Sequence, residues 1–159
     1  MIDQNDETFV PYVSIVARGG DAVFQNSDDT RHHVFSFSAI KPFEFVLKPG
    51  ERSSAVTFDQ AGISTIGCNI HDQMITYVFV ADTPYVAMTG PDGAATLADL
   101  PPGHYQARVW HPELRPGRPV PPQDVMIGDA PATLAFVVAI LPDHVHRPAT
   151  AADADRRPY

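Results

Sequence analysis

His32-His33-Val34-Phe35-Ser36-Phe37-Ser38, then Phe43-Glu44-Phe45-Val46-Leu47, then Lys48-Pro49-Gly50-Glu51, is the stretch that decides the fold class. The first two runs alternate and are filled with aromatic and β-branched residues, as a half-buried pleated surface requires. The third is a turn, with Pro to preset φ and Gly to supply a left-handed residue. Working outward in both directions, the same texture repeats. Phe9 to Val16 reads as a strand, Gly19-Gly20-Asp21 as a turn, Ala22 to Gln25 as a strand and Asn26 to Arg31 as a polar loop. Downstream, Ser54 to Phe58, Ile63 to Gly67 and Ile75 to Val80 read as strands, with Asp59-Gln60-Ala61-Gly62 turning between the first two. Long helical periodicity is missing. Short strands at this spacing predict an all-β fold, an antiparallel sandwich or barrel.

After Ala81-Asp82-Thr83-Pro84 the texture changes. Tyr85 to Thr89, Ala94 to Leu97, Tyr105 to Trp110, Val125 to Ile127 and Thr133 to Ile140 read as strands, with a proline-rich loop from Pro112 to Pro122. From Pro142 the chain is rich in Ala, Asp, Arg and Pro, a composition that predicts disorder. The expected organisation is a first domain over 1–81, a smaller β-sandwich-like annex over 82–141 and a flexible tail over 142–159.

The bulk numbers narrow the function. The chain has 159 residues, 44% of them hydrophobic and 19% charged, enough to bury a core. Its net charge of -8 argues against nucleic acid, because binding phosphates needs clustered Lys and Arg. A basic protein partner or a small-molecule role fits better. The single Cys excludes an intramolecular disulfide. No apolar run is long enough to span a bilayer. The opening Met1-Ile2-Asp3-Gln4-Asn5-Asp6-Glu7 is acidic and polar, unlike a secretory leader.

The chemistry concentrates in Gly67-Cys68-Asn69-Ile70-His71-Asp72-Gln73-Met74. A thiol, an imidazole and a thioether stand three residues apart in turn, in a loop between two expected strands. Such a loop can wrap three donors around one ion. Sulfur with imidazole selects copper or zinc over hard cations. Structural zinc ordinarily takes four strong ligands, and a thioether is a poor one. Two His, one Cys and a long axial Met form the pattern of a copper electron-transfer site. The second His is supplied upstream by His32 or His33. On a strand these two point to opposite faces, so only one can face the ion. Asn69, Asp72 and Gln73 read as turn residues or as support for the ligands. His104, His111, His144 and His146 read as outside the site. No phosphate loop or dinucleotide fingerprint is present.

Asn26, Asp28 and His32 match the Asn-x-Asp-x-x-x-His pattern of the cupredoxin family, and the resemblance selects His32 as the upstream ligand. Cys68-x-x-His71-x-x-Met74 resembles the short ligand loop of amicyanin-like cupredoxins. Phe58-Asp59-Gln60-Ala61-Gly62 resembles the stretch that precedes the Cys strand in that family. Together these span roughly residues 9 to 81. Within the family, Arg31 to Ser38, Gly67 to Asp72 and Asp82-Thr83-Pro84-Tyr85 resemble methylamine-utilisation-type cupredoxin-domain proteins. Leu100 to Tyr105 with Val109-Trp110-His111-Pro112 resembles a carboxypeptidase-regulatory-like β segment.

The resemblance implies a Greek-key β-sandwich holding one copper ion on His32, Cys68 and His71, with Met74 as the weak axial ligand. It implies a mononuclear blue copper protein that carries single electrons between redox partners and is not an enzyme. It implies a periplasmic location. The acidic charge predicts a redox protein partner with a basic docking surface. The alternative is a copper-binding or copper-delivery module with no electron-transfer role.

Overall fold

The computed structural model describes residues 1–141, so the tail expected to be disordered lies outside the described residues. The chain divides into two compact units, Met1–Ala98 and Asp99–Tyr159. Among the described residues every regular element is a strand. Among the described residues no helix is long and apolar enough to cross a membrane.

The first unit holds ten strands: β1 (Ile2–Asn5), β2 (Thr8–Val10), β3 (Val13–Ala17), β4 (Gly20–Ala22), β5 (Phe24–Asn26), β6 (His32–Ser36), β7 (Phe43–Leu47), β8 (Val56–Phe58), β9 (Gly62–Cys68) and β10 (Ile75–Ala81). They form a Greek-key β-sandwich. One side is a five-stranded sheet in the order β3-β10-β9-β6-β7. The other is built from β2-β1-β5 and the pair β4-β8. The inward residues of both sides meet in one core: Ile2, Phe9 and Phe24 from the smaller sheet, Ala22, Val56 and Phe58 from the pair, and Val34, Leu47, Ile66 and Val78 from the larger sheet. In β6 the burial alternates residue by residue, with His32, Val34 and Ser36 inside, as a pleat with one solvent-facing side requires.

Two expectations change. The run Phe9 to Val16 is not one strand. Pro11 has no N–H to give to a ladder, and the chain changes sheets there, β2 joining β1 and β3 joining β10. Thr76, fully buried on β10, pins the crossover: its Oγ1 donates to the carbonyls of Pro11 and Tyr12, at 3.0 and 3.1 Å. The crossover also makes the ladders mixed rather than purely antiparallel. β1 runs parallel to β5, and β10 runs parallel to β3. Parallel neighbours need a long connection, and here each connection passes through the other sheet. β1 itself was not anticipated, because Ile2 is its one apolar residue and Gln4 occupies an inward position at 0% exposure.

Among its described residues the second unit holds one antiparallel pair, β11 (Gly103–Ala107) with β12 (Gln123–Ile127). At the end of the first unit the runs 85–89 and 94–97 form no strand. Their side chains are largely exposed, so alternation has no apolar face to serve. Thr133 to Ile140 makes only an isolated bridge, Ile140 to Leu114.

Candidate metal centre

The site assembles from three places: the end of β9, the loop after it and the start of β6. Cys68 closes β9 with its side chain inward, 4% exposed. Its neighbour Gly67 lies under the Phe35 ring; a Cβ there would meet a ring carbon at 3.1 Å. The loop 69–74 folds back on itself, with the Met74 N–H donating to the His71 carbonyl at 3.0 Å and the Cys68 N–H to the Met74 carbonyl at 3.2 Å. That turn brings His71 back beside Cys68. Across the sheet Val34 pairs with Cys68, which sets the inward His32, two residues before Val34, at the same end of the core.

The outcome is a triangle of donor atoms. His32 Nδ1 lies 3.6 Å from Cys68 Sγ, His71 Nδ1 lies 3.9 Å from it, and the two ring nitrogens are 3.2 Å apart. The point equidistant from all three falls about 2.1 Å from each. That radius matches the bond lengths of a first-row metal to imidazole and thiolate, roughly 2.0 to 2.3 Å.

The outer nitrogens of the two rings bear on whether the inner ones could serve as metal donors. His32 Nε2 is 2.8 Å from Asp28 Oδ2, and His71 Nε2 is 3.3 Å from Glu7 Oε1. A carboxylate only accepts, so a neutral His32 ring that donates from Nε2 to Asp28 leaves its Nδ1 bare, and Glu7 beside His71 Nε2 favours the same tautomer there. In that tautomer the two Nδ1 atoms, 3.2 Å apart, would repel one another, and a cation held by them and by the Cys68 sulfur would relieve the repulsion. A carboxylate on the far nitrogen of a metal-binding His fixes both tautomer and ring orientation.

Asp28 is held in its turn. Its Oδ1 accepts from the Asp6 N–H at 2.6 Å, and its Oδ2 from the Glu7 N–H at 3.1 Å. The loop carrying it is pinned by Asn26, which is fully buried. The Asn26 Nδ2 donates to the carbonyls of Thr30 and Leu47, at 2.7 and 3.1 Å, and its Oδ1 accepts from the Asp28 N–H at 3.0 Å.

Of the residues singled out by sequence, His32, Cys68 and His71 form the one His/Cys/Asp/Glu group of metal-binding geometry among the described residues. Met74 follows in the same loop, 2% exposed, and belongs to the buried core that also holds Cys68. His33 faces the other way, with Nε2 3.6 Å from Glu44 and Nδ1 3.5 Å from Asn69 Nδ2. Gln73 donates to Glu7 Oε2 at 3.4 Å. His104 lies in β11, and His111 Nδ1 accepts from the Glu113 N–H. His144 and His146 lie outside the described residues. Sequence reading matched Asp28 to a motif without its role on His32, and missed Glu7 altogether. Asp28 had a signal, standing four residues before His32. Glu7 had none, because its partners are distant in the chain.

No protein-family model matches the chain, and no curated protein matches it. Among solved structures, similarity is found to a copper-containing nitrite reductase from Thermus scotoductus SA-01, at 26% identity and TM-score 0.45, covering 52% of this chain and 22% of that one. A purple cupredoxin from Nitrosopumilus maritimus is similar at 19% identity and TM-score 0.45, covering 50% of this chain and 97% of that one. Amicyanin from Paracoccus versutus is similar at 19% identity and TM-score 0.45, covering 50% of this chain and 78% of that one. This chain thus spans about a fifth of the nitrite reductase.

Proposed function

We propose that this chain holds one copper ion on His32 Nδ1, His71 Nδ1 and Cys68 Sγ, with Met74 as a weak axial donor, and carries single electrons between redox partners. The observation that carries the reading is the convergence of two carboxylate-oriented imidazoles on one buried thiol. Copper in this setting supplies a one-electron Cu(I)/Cu(II) couple whose potential is tuned by the axial donor and by the surroundings of the sulfur. The chain's own part is to hold the donors still. His32 and Cys68 sit on paired strands, Asp28 and Glu7 restrain the rings, and burial at 0% and 4% keeps water from the inner donors. His71 is the outer edge of the site, its side chain 17% exposed.

The Cys68–His32 pair also has the composition of a cysteine nucleophile and its base. Both side chains are buried, at 4% and 0% exposure, which favours a ligand role for the sulfur over attack on a substrate. The partner that fits is a redox protein with a basic surface. Asp6, Glu7, Asp28 and Asp29 line one acidic hollow, and two of these residues touch the ligand histidines. The periplasm is the compartment that goes with this proposal. The exposure of His71 on a loop favours one alternative, a copper-delivery module. Fast loss of copper to a chelator would select it.

Adding Cu(II) to the apoprotein while recording visible absorption and electron paramagnetic resonance tests the proposal. An intense visible band with narrow copper hyperfine splitting is expected. Both should vanish in Cys68→Ser while the far-ultraviolet circular dichroism stays unchanged. A pale spectrum with ordinary splitting in the wild type overturns the thiolate site.

A further inference from the structure

The β1–β2 turn reaches the metal centre twice. Asp6 and Glu7 both have positive φ, 52° and 50°, the pair of values that marks a two-residue type I′ hairpin turn. The turn aims two consecutive amides at the Asp28 carboxylate, which holds His32. From the same turn the Glu7 side chain crosses to the ligand loop, where one oxygen meets His71 Nε2 at 3.3 Å and the other accepts from Gln73 at 3.4 Å. Left-handed turn positions ordinarily take Gly, Asn or Asp. A side chain long enough to span to the loop is the one thing Glu adds here.

We propose that Glu7 is a latch on the ligand loop. Its carboxylate keeps the His71 ring in the Nε2–H form with Nδ1 turned inward, and so sets how long a metal ion stays in the site. The residence-time half of this inference rests on the copper reading above; the ring-orienting half does not. Glu7 is a positioning residue, acting through His71.

Two variants separate the carboxylate from the backbone. Glu7→Gly suits the left-handed φ, so the turn and its amide bonds to Asp28 remain while the latch is gone. Glu7→Gln keeps an oxygen acceptor at the same reach. Cu(II)-loaded protein is mixed with excess EDTA, and the fading of the visible band gives the rate of copper loss. In parallel, nitrogen-15 resonances of the apoprotein report the tautomer of each His ring. Glu7→Gly should lose copper about 10-fold faster or more, the scale on which metal sites respond to loss of an outer partner. Its His71 should mix both tautomers while His32 stays Nε2–H. Glu7→Gln should remain near wild type in both. An unchanged rate or an unchanged His71 tautomer in Glu7→Gly overturns the latch. If the wild type shows no thiolate band, the copper reading falls by itself, and the His71 tautomer alone then decides whether Glu7 orients the ring.

Discussion

His32 and His33 are chemically identical neighbours, and the pleat separates their fates. His32 is fully buried and faces Cys68; His33 lies on the opposite face beside Glu44. A ring becomes a metal donor when one nitrogen is committed to an acceptor and the other is left bare toward a partner. Asp28 makes that commitment for His32. His32→Ala should therefore lose the thiolate-to-copper band, and His33→Ala should keep it; the reverse result in the visible spectrum would move the ligand role to His33. Met74→Leu nearly conserves volume, so the loss of stability should stay below about 1.5 kcal/mol in urea unfolding. If Met74 is the axial donor, the same variant keeps copper and raises the reduction potential, read by voltammetry, because a donor to Cu(II) is gone. An unchanged spectrum and potential would assign Met74 to the core alone.

At the scale of elements, the site depends, besides the loop that carries His71, on two further connections. The loop between β5 and β6 carries Asp28, and Asn26 fastens it at three points. Asn26→Ala leaves the Thr30 and Leu47 carbonyls and the Asp28 amide without that partner. A loss of about 2–3 kcal/mol in urea unfolding is expected from buried groups left unpaired. Copper affinity should fall about 10-fold as the carboxylate loosens. A destabilised variant with unaltered affinity would show that Asp28 holds its place without the loop. The β1–β2 turn is the second connection, and it closes on Asp28 from the other side. The strands only have to present Cys68 and His32 at one end of the core, which the β6–β9 pairing does.

At the scale of the molecule, the net charge of -8 and the acidic hollow beside the ligands bear on partner choice. Opposite charge accelerates encounter, and salt screens it over a Debye length of about 8 Å at physiological ionic strength. Oxidation of the Cu(I) form by a cationic small-molecule oxidant should slow as salt rises, and oxidation by an anionic one should quicken, both followed by stopped-flow growth of the Cu(II) band. Equal salt dependence for the two would remove the acidic hollow as the port.

The strand texture was legible along the chain because alternation is a local property. Phe43–Leu47 forms with the boundaries its alternation predicts. The closeness of Cys68 and His71 was legible for the same reason, since they stand three positions apart and one turn brings them together. The sheet change at Pro11, the parallel pairings and β1 were not legible, because they depend on which distant strand lies alongside. His33 was separated from His32 by a family motif in the sequence and by inside-outside parity in the structure, and that parity is set only when the sheets pack. Glu7 became visible only then, with Gln73 lying 66 positions away across the fold. The sequence by itself determined an all-β chain with Cys68 and His71 gathered in one loop, for periodicity and short spacing survive without tertiary contacts. The tertiary structure decided how the two rings are oriented, because the contact between Glu7 and His71, 64 positions apart, exists only where packing brings them within 3.3 Å.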